Sequence, residues 1–138
     1  MHHKHVKDGM TTNPRTIAPS TSIQEAAKLM RDDDVGSLPV VEGDQLVGIL
    51  TDRDIVIRAG AEGRFDATAG ELASRELVTV DPGQSLEEAA RLMAQHQVRR
   101  LPVTEEDGRL VGMLAQADVA THGGEDARTG QMVEEISR

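Results

Sequence analysis

The sequence contains an internal repeat that covers most of its length. When residues 16–42 are compared with residues 79–105, 63 positions further on, 13 of 27 residues are identical. One residue is then inserted, and residues 46–54 match residues 110–118 at 5 of 9 positions. Repeats in sequence usually reflect repeats in structure. Two long copies predict a pair of multi-element units packed face to face rather than an extended solenoid. A ligand site built by one copy should then have a counterpart in the other.

Both copies predict the same order of elements: strand, helix, strand, strand, helix. In the first copy, a short strand at residues 16–18 precedes Ser22 and Glu25, which have the spacing of a capping box at a helix start. Apolar residues then recur at helical spacing and indicate one buried face. A hairpin over residues 37–50 follows, and a second helix begins near residue 51. The pattern predicts a mixed α/β (α+β) fold.

The segments outside the repeats also carry helix signals. A second capping box at Thr68 and Glu71 predicts a lead-in helix before the second copy. An equivalent lead-in over residues 6–10 precedes the first copy and is weakened by Gly9. We therefore divide the chain into four segments: residues 1–15, an N-terminal arm and lead-in helix; 16–66, the first repeat; 67–122, a lead-in helix and the second repeat; and 123–138, a tail that can form a helix.

The composition argues against several classes of partner. With 15 basic and 24 acidic residues, the net charge of -9 provides no long-range attraction for DNA or anionic lipid. Phe65 is the only aromatic residue, so stacking platforms for nucleic-acid bases are absent. No cysteine is present, which fits a reducing compartment. No apolar run reaches membrane-spanning length and no signal peptide is evident. We expect a cytoplasmic protein that binds neither nucleic acid nor membrane.

The sequence shows no signature of catalysis. It contains no nucleophile–base pair, metal triad or phosphate-binding Walker loop, so we expect no enzyme activity. His2, His3 and His5 form a short histidine cluster that either binds a divalent metal or belongs to a flexible arm. The second interpretation is favoured, and no metal site is predicted.

The predicted strand-to-helix junction at Thr51 and Asp54 is a candidate binding site. A helix start offers free amides and the positive end of the helix dipole, which favour phosphate or a hydroxyl-rich ligand. The Asp54 carboxylate can accept from both hydroxyls of a ribose diol, and the Thr51 hydroxyl can reach ribose or phosphate. The same Thr-x-x-Asp spacing is also a variant of the capping box. The two roles are compatible.

Taken together, these residues resemble a known family. The βαββα unit, the Leu-Pro-Val strands ending at Val40 and Val103, and the Gly-x-x-Thr-x-x-Asp segment from Gly48 to Asp54 are similar to a CBS-domain pair, the Bateman module. The chain most resembles small stand-alone bacterial CBS proteins of the hypoxic-response type. The resemblance implies two repeats packed about a pseudo-two-fold axis, adenosyl ligands in two clefts between them, and a disc-shaped homodimer.

The resemblance also implies one complete nucleotide site and one incomplete site. The complete site would be formed by Thr51, Asp54, Arg99 and Arg100. Adjacent strand positions point to opposite faces, so one arginine, Arg100 in the first place, would face the phosphate, and the alternative is a solvated basic pair. The other cleft keeps Asp118 but has Ala115 where the motif threonine should be, and it would face the uncharged Gly36 and Ser37. We expect it to bind weakly, to bind a nucleoside or to stay empty.

Base recognition in the family comes from the first strand of each repeat. The corresponding positions are Thr16, Ile17 and Ala18 in the first copy and Thr79, Val80 and Asp81 in the second. Ile17 and Val80 are equally suited to a buried core, so main-chain groups rather than side chains would contact the base.

These observations predict a non-catalytic regulatory module that needs no cofactor. It would sense an adenosine-containing ligand, AMP or ATP in the first place, with NAD or S-adenosylmethionine as further candidates. Ligand state would pass through a homodimer to a downstream protein. The alternative is a ligand-independent interaction or scaffolding module with vestigial clefts.

Overall fold

The structure, a computed structural model, describes residues 4–122 of the chain. His2 and His3 and the predicted tail helix in residues 123–138 lie outside the described residues. The described elements, in chain order, are α1 (Val6–Gly9), β1 (Thr11–Thr12), α2 (Ile23–Asp33), β2 (Ser37–Glu42), β3 (Gln45–Thr51), α3 (Asp52–Asp54), a π-helix (Ile55–Ala61), α4 (Ala69–Leu72), α5 (Leu86–His96), β4 (Arg100–Thr104), β5 (Leu110–Ala115) and α6 (Gln116–His122). Mixed helices and strands in two tandem copies confirm the predicted fold class.

Residues 15–77 form one compact unit. Strands β2 and β3 pair as an antiparallel hairpin, with Leu38 opposite Leu50. Helix α2 covers this hairpin, because its buried positions recur at helical spacing and join the same apolar core. The predicted first strand is reduced to one residue, Ile17, which forms a parallel bridge with Val40.

Residues 4–14 and 78–122 form the other unit. Its sheet has the order β1-β5-β4, and Val80 bridges Val103 in parallel, as Ile17 does in the first unit. Helix α5 buries Leu86, Ala90 and Met93 among others, and these side chains join a second apolar core.

The two long helices begin and end in the same way. Ser22 and Ser85 cap α2 and α5 by accepting a hydrogen bond from the backbone N–H three residues later, at 3.1 and 3.0 Å. This is the serine half of the predicted capping box. Each helix ends at a residue in the left-handed conformation, Asp34 (φ 55°) and Gln97 (φ 56°). Glycine usually occupies such a position, so both copies carry the same conformational cost.

The lead-in segments pack on the opposite repeat from the one that follows them. In α1, the Val6 N–H donates to the Gln84 carbonyl (2.8 Å), and in α4 the Ala69 N–H donates to the Thr21 carbonyl (2.8 Å). Strand β1 extends the sheet of the second unit, while Ser74 bridges Ile49 in the first. The boundaries of the compact units therefore differ from those of the predicted segments 1–15, 16–66 and 67–122. The reason is that each lead-in pairs through its backbone with the repeat that does not directly follow it.

The motif glycines mark the place where these lead-in segments approach. A Cβ atom on Gly48 would lie 3.1 Å from the Ser74 carbonyl oxygen, and one on Gly112 would lie 2.9 Å from the Thr11 carbonyl oxygen. Both contacts are with backbone, which cannot move aside cheaply. Gly48 in the first copy and Gly112 in the second therefore allow close backbone packing within their own units.

Candidate functional site

Thr51 and Asp54 form a complete reciprocal capping box where β3 meets α3. The Asp54 N–H donates to the Thr51 hydroxyl at 3.1 Å, and the Thr51 N–H donates to Oδ2 of Asp54 at 3.0 Å. Both residues are partly buried. The capping role left open by the sequence is therefore present, and it holds the Asp54 carboxylate in a defined orientation.

The amides at this helix start are less available than the sequence suggests. The Asp52 N–H donates to the Gly36 carbonyl at 2.9 Å, and the Asp54 N–H is used in the capping box. Helix α3 itself has only three residues before the π-helix begins. The expectation of free amides beside Thr51 is therefore wrong for these two donors, because the Gly36 carbonyl and the Thr51 hydroxyl already accept from them.

The second junction keeps half of this arrangement. The Ala115 N–H donates to Oδ2 of Asp118 at 2.9 Å, which matches the bond between Thr51 and Asp54. Ala115 has no hydroxyl to accept from the Asp118 amide. The substitution therefore removes one hydrogen bond of the cap but leaves the Asp118 carboxylate oriented by the backbone.

Each aspartate retains the capacity to bind a ligand while it caps its helix. A carboxylate offers about four acceptor positions, and the capping bond occupies one of them on Oδ2 in both Asp54 and Asp118. The remaining positions can accept two vicinal hydroxyl groups. The Thr51 hydroxyl, which accepts from the backbone, can still donate its own proton to a ligand oxygen.

The arginine pair lies beside the second junction within its own unit. Arg100 is opposite Ala115 in the β4–β5 ladder, and directly opposed residues of an antiparallel pair share one face of the sheet. The Arg99 carbonyl accepts from the Gln116 N–H at 2.9 Å. In the first unit the position opposite Thr51 is Ser37. The convergence of Arg99 and Arg100 on Asp54 stays a prediction.

The first-strand residues divide into buried and accessible positions. Ile17 and Val80 are buried. The Ile17 N–H donates to the Pro39 carbonyl in β2 at 3.0 Å, and the Val80 N–H donates to the Pro102 carbonyl in β4 at 3.1 Å. Thr16 is exposed and Thr79 is partly buried. The main-chain N–H and carbonyl groups of Ile17 and Val80 are therefore already paired within their units, and the predicted contact of this strand with a base stays a prediction.

Asp52 is a candidate residue that the sequence analysis missed. It is exposed, and a Cβ atom on Gly36 would lie 3.2 Å from its carboxylate oxygen. In the second copy, Gln116 corresponds to Asp52 and Arg99 corresponds to Gly36. Both positions differ between the copies, and this joint difference in the sequence could have identified Asp52. The first junction therefore carries two carboxylates, Asp52 and Asp54, where the second carries only Asp118.

Residues 4–122 contain neither a cluster of metal ligands nor a membrane-spanning helix. Within that range, no three His, Cys, Asp or Glu side chains form a group that could hold a metal ion. The His5 N–H donates to the Asp8 carboxylate at 2.9 Å and so takes part in the cap of α1. None of the helices in this part of the chain has the length and apolar character needed to cross a bilayer.

Comparisons with known proteins agree with the resemblance in the sequence. The CBS domain family matches residues 4–59 and 69–124. The CBS domain-containing protein YhcV of Bacillus subtilis is 47% identical over 133 residues, which cover 96% of this chain and 94% of that protein. Hypoxic Response Protein I, in a crystal structure with two coordinated zinc ions, is 42% identical with a TM-score of 0.77, and the match covers 86% of this chain and 98% of that one.

Two solved structures of similar chains contain adenosine compounds. CBSX2 in complex with AMP is 30% identical, with a TM-score of 0.78 and coverage of 87% of this chain and 96% of that chain. The CBS domain pair of protein MJ0100, in complex with 5'-methylthioadenosine and S-adenosyl-L-methionine, is 30% identical, with a TM-score of 0.77 and coverage of 88% and 100%. The two repeats, their strand-to-helix junctions and these matches lead to one conclusion: this chain belongs to the CBS domain family and consists of a tandem CBS pair.

Proposed function

We propose that this CBS pair is a regulatory sensor of an adenosine-containing ligand and has no catalytic activity of its own. The observation that carries the proposal is the orientation of Asp54, whose capping bond leaves most of its acceptor positions available for a ribose diol. The relatives that bind AMP, 5'-methylthioadenosine and S-adenosyl-L-methionine support the same ligand class. AMP and ATP are the first candidates, with NAD and S-adenosylmethionine next.

Asp54 is proposed to bind ribose rather than phosphate. Its own junction also carries Asp52, and two carboxylates repel a phosphate at short range. Phosphate contacts are assigned to Arg99 and Arg100, because guanidinium groups bind phosphate through paired hydrogen bonds. Thr51 supports the ribose contact, and the main chains of Thr16 and Thr79 are proposed to contact the base.

Calorimetric titration tests the ribose contact. Asp54→Asn keeps an oxygen that can accept from the Thr51 N–H, so the cap persists while the charge and one acceptor are lost. A charge-assisted hydrogen bond contributes about 1.5–3 kcal/mol, so AMP affinity should fall roughly 10- to 100-fold. Asp8→Asn is the matched control, because Asp8 caps α1 by the same kind of bond and lies outside the motif.

The outcome separates sensing from a vestigial site. Selective loss of affinity in Asp54→Asn, with unchanged circular dichroism and an unaffected Asp8→Asn control, supports the proposal. Absence of saturable binding of the unsubstituted chain to AMP, ATP, NAD and S-adenosylmethionine would refute it. Turnover of ATP at enzymatic rates would refute the non-catalytic assignment.

A second experiment asks which aspartate works with the arginine pair. Arg100→Gln should weaken AMP binding while affecting adenosine much less, because only AMP carries a phosphate. In double mutants, an interaction free energy with Asp54→Asn and none with Asp118→Asn would support a shared site of Arg100 and Asp54. The reverse result would assign Arg100 to the Asp118 junction, which it adjoins in the β4–β5 ladder.

Transmission to a partner is proposed to proceed through a homodimer. A ligand can shift a conformational equilibrium only by its difference in affinity for the two states. The dimer and its downstream protein would therefore respond to the extent that AMP binds one arrangement better. Analytical ultracentrifugation with and without AMP tests the dimer, and a sedimentation pattern of monomers at all concentrations would contradict it.

An interaction module is the second candidate, and one observation favours it. Val56, Ile57 and Phe65 are large apolar side chains with exposed fractions of 67%, 40% and 72%. Exposed apolar side chains grouped in one segment often mark a protein contact. If Val56→Ser and Phe65→Ser abolish self-association while AMP binding is absent, this alternative replaces the sensor.

A further inference from the structure

We propose that the N-terminal lead-in, residues 4–14, also packs on the second unit of another copy of the chain, so that two molecules pair by exchanging this segment. The inference rests on the homodimer of the proposed function and names how that dimer assembles. It does not require nucleotide binding.

The docking of a lead-in depends mainly on backbone groups and therefore tolerates different sequences. The N–H groups of Val6 and Lys7 donate to carbonyls of the second unit at 2.8 and 3.0 Å. The N–H groups of Ala69 and Gly70, at the equivalent positions, donate to carbonyls of the first unit at 2.8 and 2.9 Å. Each unit is thus completed by a lead-in that does not directly precede its own repeat. A lead-in supplied by a second molecule would present the same groups.

The N-terminal lead-in makes three kinds of contact with the second unit that a second molecule can reproduce. Val6 is fully buried in the apolar core of the second unit. Thr11 and Thr12 add an edge strand to β5, with Thr11 opposite Met113. The Leu86 N–H donates to the Lys4 carbonyl at 3.1 Å. These interactions lie within one compact unit, so exchange would keep them all and change only which chain provides the segment.

The connection that leads from the N-terminal lead-in to the first repeat has a feature that favours opening. Asn13 has a φ of 51°, in the left-handed region that non-glycine residues rarely adopt, although asparagine tolerates it better than most. The next residue is Pro14, and a residue before proline prefers an extended conformation. An open hinge would let Asn13 extend and release this strain, and strained hinges promote domain swapping.

The other lead-in lacks these properties. Among residues 4–122, the non-glycine residues with positive φ are Asn13, Asp34 and Gln97, so none lies in the connection over residues 73–79. Exchange is therefore assigned to the N-terminal segment.

Cysteine cross-linking tests the exchange directly, because the chain has no cysteine of its own. Thr11→Cys and Met113→Cys are placed in separate chains, which are mixed, unfolded, refolded together and oxidised. Exchange predicts a disulfide-linked heterodimer whose yield rises with protein concentration. Thr12→Cys mixed with Met113→Cys is the control, since the neighbouring strand position faces the other side of the sheet. The double variant in a single chain verifies that the two positions pair.

The outcomes are distinct from those that test nucleotide sensing. Because Met113 is buried, His5→Cys with Ser85→Cys, which pair in an isolated bridge, provides a second cross-link if Met113→Cys does not fold. Asn13→Gly should lower the heterodimer yield severalfold by removing the strain from the closed hinge. Cross-links within doubly substituted chains but none between chains at any concentration would overturn the exchange. A dimer that persists without such cross-links would retain the homodimer and reject this mode of assembly.

Discussion

The helix caps of the two motif junctions differ in one hydrogen bond, which the Thr51 hydroxyl accepts and Ala115 cannot. This difference predicts opposite effects of matched substitutions. Thr51→Val removes the hydroxyl that accepts from the Asp54 N–H while keeping a β-branched side chain at the end of a strand. Ala115→Thr introduces a hydroxyl at the equivalent position of the second copy, where Asp118 is already oriented by the Ala115 N–H. We expect the first change to destabilise the chain and the second to stabilise it.

The magnitude follows from the capping bond. Loss of an N-cap hydroxyl costs roughly 0.5–2 kcal/mol, typically about 1 kcal/mol. The entropy of unfolding is about 2.1 cal/mol/K per residue, so for 138 residues a change of about 1 kcal/mol corresponds to a Tm shift of about 3 °C. Thr51→Val should lower Tm by this amount. Ala115→Thr should raise Tm by a similar amount relative to Ala115→Val, which has the same shape without the hydroxyl.

Thermal unfolding followed by far-ultraviolet circular dichroism is the appropriate assay, because the chain has no tryptophan or tyrosine for fluorescence. The comparison of threonine with valine at each position isolates the hydroxyl from the effects of side-chain volume. Equal Tm values for threonine and valine at both positions would refute the reasoning. Stabilisation at Ala115 alone would mean that the Thr51 hydroxyl contributes nothing to its cap.

Three further predictions concern the left-handed helix end and the N-terminal lead-in. Gln97→Gly should stabilise the chain to urea by about 0.5–1 kcal/mol, because glycine adopts positive φ without steric cost. Gly112→Ala should destabilise it and increase proteolysis of the lead-in, since the added Cβ would lie 2.9 Å from the Thr11 carbonyl oxygen. The hydrogen bond from the His5 N–H lowers the pKa of Asp8, so this carboxylate stabilises the fold above its unfolded pKa, and the effect disappears as pH falls through the folded pKa. Asp8→Asn should therefore weaken the fall in unfolding free energy at acid pH, as measured by urea unfolding. An unchanged pH dependence would contradict the assignment.

Much of each unit was predictable because its signals are local. The Ser-x-x-Glu spacing located the starts of α2 and α5, and the helical periodicity identified their buried faces. The Leu-Pro-Val segments lie in the predicted hairpins. Capping and periodicity depend on residues within one or two turns of each other, so one sequence contains all the information that they require.

The first strand and the helix after Asp54 were less predictable. Residues 16–18 have the composition of a strand, but only Ile17 pairs with β2. Its N–H donates to the Pro39 carbonyl and its carbonyl accepts from the Val41 N–H. The second helix of the first copy continues from Asp54 as a π-helix, whereas its counterpart after Ala115 is an α-helix. Such backbone differences depend on packing around the segment and have no distinctive local pattern.

By itself, the sequence determined that this protein consists of two similar units and that their motifs differ at Thr51 and Ala115, because a repeat is a comparison of the chain with itself. Only the tertiary structure decided which segment completes which unit. The lead-ins of Val6 and Ala69 cross to the opposite repeat through backbone hydrogen bonds, and Gly48 and Gly112 make room for them. Backbone donors and acceptors are the same in every residue except proline, so side-chain patterns do not specify how distant segments pair through them.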